Sequence, residues 1–159
     1  MWVTRWSPKV GTKLVSSGKY EDSVVGPRVL LVDDEVLLLR TLSSALRESG
    51  FDVLSASSAE EAERLLAASD PVDILVLDVK LPGRSGLDFL RERREADYKG
   101  RAVVMTAFDN PDSERVCQAL SVDHYLRKPF DLEKLLQLVR SLANGVGDRT
   151  ARTEGDASA

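Results

Sequence analysis

The 159 residues include one cysteine, Cys117, and one histidine, His124. A single thiol excludes an internal disulfide framework, and one Cys with one His is too few for a zinc site. Cys117 has apolar neighbours at helical spacing, so it is expected as a buried small hydrophobe. No apolar run approaches the roughly 20 residues that span a bilayer, and residues 1–27 lack the apolar core of a signal peptide. A soluble, cytoplasmic protein without a membrane partner is therefore expected. Aromatic residues make up only 6% of the chain, and two of them, Trp2 and Trp6, stand near its start. The net charge of -4 is mild and no basic stripe stands out, so direct contact with nucleic acid is not expected.

What is present is patterned. Apolar residues make up 43% and charged residues 30%, ordinary values for a globular domain. Residues 1–27 carry a net +2, residues 28–145 a net -5 and residues 146–159 a net -1. The first and last segments lack sustained periodicity and are expected as disordered tails. Residues 28–145 are expected as one domain. Within it, strands are expected at Arg28–Asp33, Phe51–Ala56, Val72–Asp78, Arg101–Thr106 and Val122–Leu126. Three of them contain unbroken apolar runs, Val29-Leu30-Leu31-Val32, Ile74-Leu75-Val76-Leu77 and Ala102-Val103-Val104-Met105. Such runs indicate strands buried on both faces, hence a parallel sheet covered by helices.

Helical periodicity separates the strands. Leu38, Leu42, Ala45 and Leu46 share one face of a first helix, and Ala62, Leu65 and Leu66 one face of a second. Two capping boxes compete for the start of the second, Ser57 with Glu60 and Ser58 with Glu61. Further helices are expected near Ser85–Glu95 and Pro111–Leu120. A fifth places Leu132, Leu135, Leu136, Val139 and Leu142 at i, i+3, i+4, i+7 spacing, with Asn144-Gly145 as its stop signal. Five alternations of strand and helix imply an α/β fold with a doubly wound five-stranded parallel sheet and right-handed crossovers. Ligands of such sheets bind at the carboxyl ends of the strands.

Those ends carry chemistry. The first strand runs into Asp33-Asp34-Glu35, the third ends in Asp78, the fourth in Thr106, and Lys128-Pro129-Phe130 follows the fifth. Carboxylates gathered at one rim repel one another unless a shared proton or a cation intervenes. An all-oxygen donor set suits Mg²⁺. Carboxylates, one hard cation, a lysine and a hydroxyl together can hold a phosphoryl group in line with an oxygen nucleophile, and a carboxylate can be that nucleophile. Each residue also has a plainer reading. Asp33, Asp34 and Thr106 can cap helices, Asp78 can begin a turn before Leu81-Pro82-Gly83, and Lys128 can be an ordinary surface lysine. Their coincidence at one predicted edge favours function.

The same residues carry a resemblance. Val32-Asp33-Asp34-Glu35, Leu77-Asp78-Val79-Lys80-Leu81-Pro82-Gly83, Met105-Thr106-Ala107 and Tyr125-Leu126-Arg127-Lys128-Pro129-Phe130 resemble, in order and spacing, the receiver domains of two-component response regulators. The resemblance spans residues 28–145 and implies a flavodoxin-like strand order, 2-1-3-4-5. It implies that Asp78 is the phosphoacceptor, that Asp33, Asp34 and Asp78 hold Mg²⁺ with the backbone carbonyl of Lys80, and that Lys128 and Thr106 bind phosphoryl oxygens. Tyr125 resembles the family's aromatic switch, and Lys128–Pro129 is a candidate cis peptide. The implied donor is a sensor histidine kinase or a phosphotransfer protein. A downstream protein partner would read the fourth helix, fifth strand and fifth helix, and a homodimer is compatible. The protein would not be an enzyme, beyond assisting its own phosphorylation and dephosphorylation.

The chain departs from the family at Ser121-Val122, where many receivers have Gly-Ala, so a differently shaped loop is expected there. Phe108 is placed where its bulk would shield an acyl phosphate from water. Other readings are a receiver cut from a larger regulator or hybrid kinase, an unphosphorylated interaction module, and an aspartyl phosphatase resembling the haloacid-dehalogenase group. The last needs two aspartates separated by one residue, whereas Asp33 and Asp34 are adjacent. A stand-alone receiver is suggested by the 14 residues after Gly145, too few for a DNA-binding module.

Overall fold

The computed structural model describes residues 9–14, 20–107 and 110–155; Trp2, Trp6 and Phe108 lie outside them. The strands are β1 (Lys9–Leu14), β2 (Tyr20–Val25), β3 (Arg28–Val32), β4 (Asp52–Ala56), β5 (Ile74–Asp78), β6 (Arg101–Thr106) and β7 (His124–Arg127). The helices are α1 (Val36–Glu48), α2 (Ala59–Ala68), α3 (Gly86–Glu95), α4 (Pro111–Ala119) and α5 (Leu132–Gly155). Strands β3 to β7 form one parallel sheet in the order β4-β3-β5-β6-β7. Counted from β3, that is the order 2-1-3-4-5.

The unbroken apolar runs split by the period of two of a strand. Val29, Leu31, Ile74, Val76, Val103 and Met105 face one layer, with Leu42 and Leu46 of α1 and Leu135, Leu136 and Val139 of α5. Leu30, Val32, Leu75, Leu77, Ala102 and Val104 face the other, with Ala59 and Ala62 of α2, Phe89 and Leu90 of α3, and Cys117 of α4. Every residue of β5 is buried, which places Asp78 at the end of the central strand. Cys117 lies in the core as expected.

Local chemistry sets the helix ends. Ser58 is the N-cap of α2 and its hydroxyl accepts from the Glu61 N–H at 3.1 Å. The Glu61 carboxylate reaches back to the Ser57 N–H at 2.7 Å and hydroxyl at 2.8 Å. Of the two boxes available, the second forms, and its return arm lands on Ser57. These bonds hold the Glu61 carboxyl below its ordinary pKa, the backbone bond contributing most. Helices α1, α3 and α4 all end in Schellman motifs. Gly50, Asp97 and Ser121 occupy the left-handed position, with φ of 93°, 69° and 54°. In the last of these, the Ser121 N–H bonds the Gln118 carbonyl and the Val122 N–H the Cys117 carbonyl. The family departure at Ser121 is therefore a residue with a Cβ where the backbone favours glycine.

Two expectations are corrected at the ends of the chain. Within residues 1–27, β1 and β2 pair antiparallel, with Val10 opposite Val24, Thr12 opposite Asp22 and Leu14 opposite Tyr20. Each segment is only six residues long, so the alternation emerges only when the two are set in register. Residues 146–155 continue α5. Asn144-Gly145 does not stop the helix because extending a formed helix is far cheaper than nucleating one. Gly145 instead permits a close approach: a Cβ there would lie 2.9 Å from Nη2 of Arg101.

Candidate functional site

Four strand exits converge on one rim. Asp33 follows β3 and is fully buried; Asp78 and Thr106, the last residues of β5 and β6, are 5% and 3% exposed. Lys128 follows β7, and its N–H bonds the Thr106 carbonyl at 2.7 Å. The Lys128–Pro129 peptide is cis. The Lys128 ammonium donates to Asp33 Oδ2 at 2.7 Å, to Glu35 Oε1 at 3.0 Å and to Asp78 Oδ2 at 3.0 Å. The other oxygens of the two aspartates hold their own loops: Asp33 Oδ1 accepts from the Glu35 N–H at 2.8 Å, and Asp78 Oδ1 from the Lys80 N–H at 3.2 Å.

The Asp78 loop is fastened on both sides. The Val79 N–H bonds the Met105 carbonyl at 2.9 Å, and the Gly86 N–H bonds the Val79 carbonyl at 3.0 Å. Gly86 packs against the backbone of Asp78, where an added Cβ would lie 1.9 Å from the Asp78 carbonyl oxygen. No side chain fits there without displacing the aspartate.

The electrostatics follow from burial and crowding. Burial, then the negative charge of Asp33, push the Asp78 carboxyl above its ordinary pKa against the opposing effect of Lys128. Burial alone would lower the Lys128 pKa, but its bonds to Asp33, Asp78 and Glu35 outweigh this and hold it above the ordinary lysine range. Among the described residues, carboxylate oxygens of Asp33, Glu35 and Asp78 lie within 4.8 Å of one another.

This grouping differs from the sequence expectation at one position. Asp34, expected beside Asp33 in the metal set, is exposed and stands outside the cluster. Glu35 joins instead, because residues two apart on an extended exit share a side. The spacing of Asp33-Asp34-Glu35 carries the signal for Glu35, whereas the aspartate pair is what the family resemblance implies. Thr106 stands on the rim, its carbonyl bonded by the Lys128 N–H. Tyr125 pairs in register with Val104, two residues before Thr106 on β6. It is therefore on the same sheet face as Thr106, half-buried against the layer that holds α3 and α4. Sequence reading gave no hint of Gly86, whose constraint arises from a contact across the rim.

The chain is similar to known proteins. The family described as the response regulator receiver domain matches residues 29–140. The chain is 34% identical over 125 residues to the transcriptional regulatory protein AruR of Pseudomonas aeruginosa, covering 76% of this chain and 50% of that protein. It is 40% identical over 117 residues to the transcriptional regulatory protein TrcR of Mycobacterium tuberculosis, covering 72% and 44%. The chain thus spans about half the length of these curated relatives. Among solved structures, the response regulator TrrA of Thermotoga maritima, in complex with Mg²⁺–BeF, superposes with a TM-score of 0.64 at 30% identity, covering 73% of this chain and 98% of that one. No described helix is long and apolar enough to cross a membrane. From the parallel sheet and its acidic rim to the matched segment that contains both, the chain belongs to the response regulator receiver domain family.

Proposed function

We propose that Asp78 accepts a phosphoryl group from a phosphohistidine of a sensor kinase or phosphotransfer protein. In that transfer the P–N bond to the imidazole breaks, a P–O bond forms at the Asp78 carboxylate, and the released imidazole takes up a proton. The observation that carries the reading is the Lys128 ammonium held 3.0 Å from Asp78 at the end of the central strand. Asp78 is nearly buried and is crowded by Asp33, which favours a cation at this rim.

The clustered carboxylates of Asp33 and Asp78 form an all-oxygen donor set suited to a hard cation. With Asp34 and the Lys80 carbonyl, the further ligands implied by the family resemblance, they would hold Mg²⁺. The ion would supply charge neutralisation for the incoming phosphoryl oxygens. Lys128 and Thr106 bind those oxygens through charge-assisted and hydroxyl hydrogen bonds. The new bonds draw Thr106 toward the phosphoryl group, Tyr125 follows on the same face, and the α4-β7-α5 surface changes for a protein partner.

Incubation with acetyl phosphate and Mg²⁺ followed by intact-mass measurement tests this. A phosphoryl adduct that Asp78→Asn abolishes is the expected result; an adduct that persists in Asp78→Asn refutes the assignment. The length of AruR and TrcR favours a second reading, in which this receiver works inside a longer regulator. The boundaries of the natural reading frame decide between the two.

A further inference from the structure

Lys128 has three ammonium protons and all three are engaged, by Asp33, Glu35 and Asp78. Its side chain is only 10% exposed, so water has little access to reorganise that shell. A phosphoryl group on Asp78 inherits the Lys128 contact that Asp78 already makes, and gains a further ammonium proton only if another partner lets go. Asp33 is a poor candidate, since its contact is the shortest of the three and its carboxylate is fully buried. Stranding a buried charge is costly. Asp78 is the reacting group itself. Glu35 remains, with a side chain 62% exposed, so solvent re-covers its carboxylate on release and little is lost.

Glu35 is also aimed by the backbone. Its N–H is fixed to Asp33 Oδ1, and it directly precedes α1 without serving as a side-chain cap for that helix. Its carboxylate therefore reaches the rim for a reason other than helix capping. A dianionic phosphoryl group would meet a like charge in Glu35 as well as a competitor for Lys128. Both effects oppose the phosphorylated state.

We propose that Glu35 is a positioning residue that acts through Lys128: it parks the ammonium in the resting protein and sets how readily Lys128 turns to a phosphoryl group on Asp78. The proposal rests on Asp78 being the phosphoacceptor. It predicts that removing the Glu35 carboxylate strengthens binding of a phosphoryl mimic while weakening binding of the divalent ion, which loses one nearby negative charge.

The experiment uses the full chain with Glu35→Ala and Glu35→Gln. Mg²⁺ affinity is measured first by calorimetry, so that later steps are made at saturation. Beryllofluoride affinity is then measured by ¹⁹F NMR. Both variants are expected to bind beryllofluoride about two- to fivefold more tightly than the parent, the range set by one partly exposed ion pair, and Mg²⁺ more weakly. In a Lys128→Met background the tightening is expected to shrink to the smaller part that like-charge repulsion contributes. Side-chain ¹⁵N NMR of lysine gives a readout independent of that background. The parent should show one slowly exchanging ammonium signal, broadened or lost in Glu35→Ala. Unchanged or weaker beryllofluoride binding in the Glu35 variants overturns the proposal, as does equal tightening without Lys128, or a Lys128 signal indifferent to Glu35. A parent that binds no beryllofluoride overturns the phosphoacceptor reading itself, a failure distinct from an indifferent Glu35.

Discussion

Replacing Lys128 with methionine keeps an unbranched apolar side chain and removes the charge. Three contacts disappear. The one to Glu35 is largely exposed and is worth under about 1 kcal/mol. The other two end on carboxylates that are 0% and 7% exposed at the side chain. Removing one partner of a buried pair costs about 3–5 kcal/mol, because the remaining charge stays buried. Discounted for rearrangement and for the ability of Asp78 to take up a proton, the expected loss at pH 7 is about 3 kcal/mol. That is a large share of the 5–15 kcal/mol typical of a domain, yet it leaves the protein folded.

The loss should depend on pH with a defined sign. Lys128 has its pKa raised in the folded protein. Its stabilisation is therefore complete below the ordinary lysine pKa, and is lost only as pH rises through the folded value. Between pH 5 and 7 it is constant. Asp78 is different. Its folded pKa is already raised by burial and by Asp33, and without the ammonium it rises further. A raised carboxyl pKa means that stability falls as pH climbs through the folded value and recovers as pH drops. The deficit of Lys128→Met should therefore shrink from pH 7 to pH 5, and shrink also when millimolar Mg²⁺ supplies a replacement charge. Urea unfolding followed by circular dichroism, at both pH values with and without Mg²⁺, measures it. A loss below about 1 kcal/mol at pH 7, or a deficit that grows toward acid, would refute the reasoning.

Three further substitutions probe particular features. Gly86→Ala drives a Cβ into the Asp78 backbone; it should lower stability by about 2 kcal/mol and reduce acetyl phosphate labelling, measured by denaturation and intact mass. Ser121→Gly relieves a left-handed residue at the end of α4; thermal unfolding should show a gain of about 0.5–1 kcal/mol, part of the strain being offset by glycine's backbone entropy. Tyr98→Phe removes a buried hydroxyl that has no hydrogen-bond partner among the described residues and whose pKa burial pushes upward. It should leave stability unchanged or raise it by up to about 1 kcal/mol, and loss of stability in chemical denaturation would show that the hydroxyl is satisfied.

The sequence by itself determined the layered sheet and the location of the reactive rim. Val29-Leu30-Leu31-Val32 and its two counterparts are apolar at every position, and only a strand covered on both faces accepts that. Asp33, Asp78, Thr106 and Lys128 each end or follow a strand, so strand alternation alone sends them to one edge. Tertiary structure decided what these residues do to one another. It singled out Glu35 over Asp34 as the third carboxylate around Lys128, a matter of which way successive side chains leave an extended exit. It left Gly86 no room for a Cβ, through a backbone approach from α3 to Asp78 that has no counterpart in local sequence. It paired β1 with β2 and carried α5 past Asn144-Gly145. Periodicity is a local property and is legible residue by residue, whereas cross-strand register, close approach and shared charge exist only once distant segments are packed together.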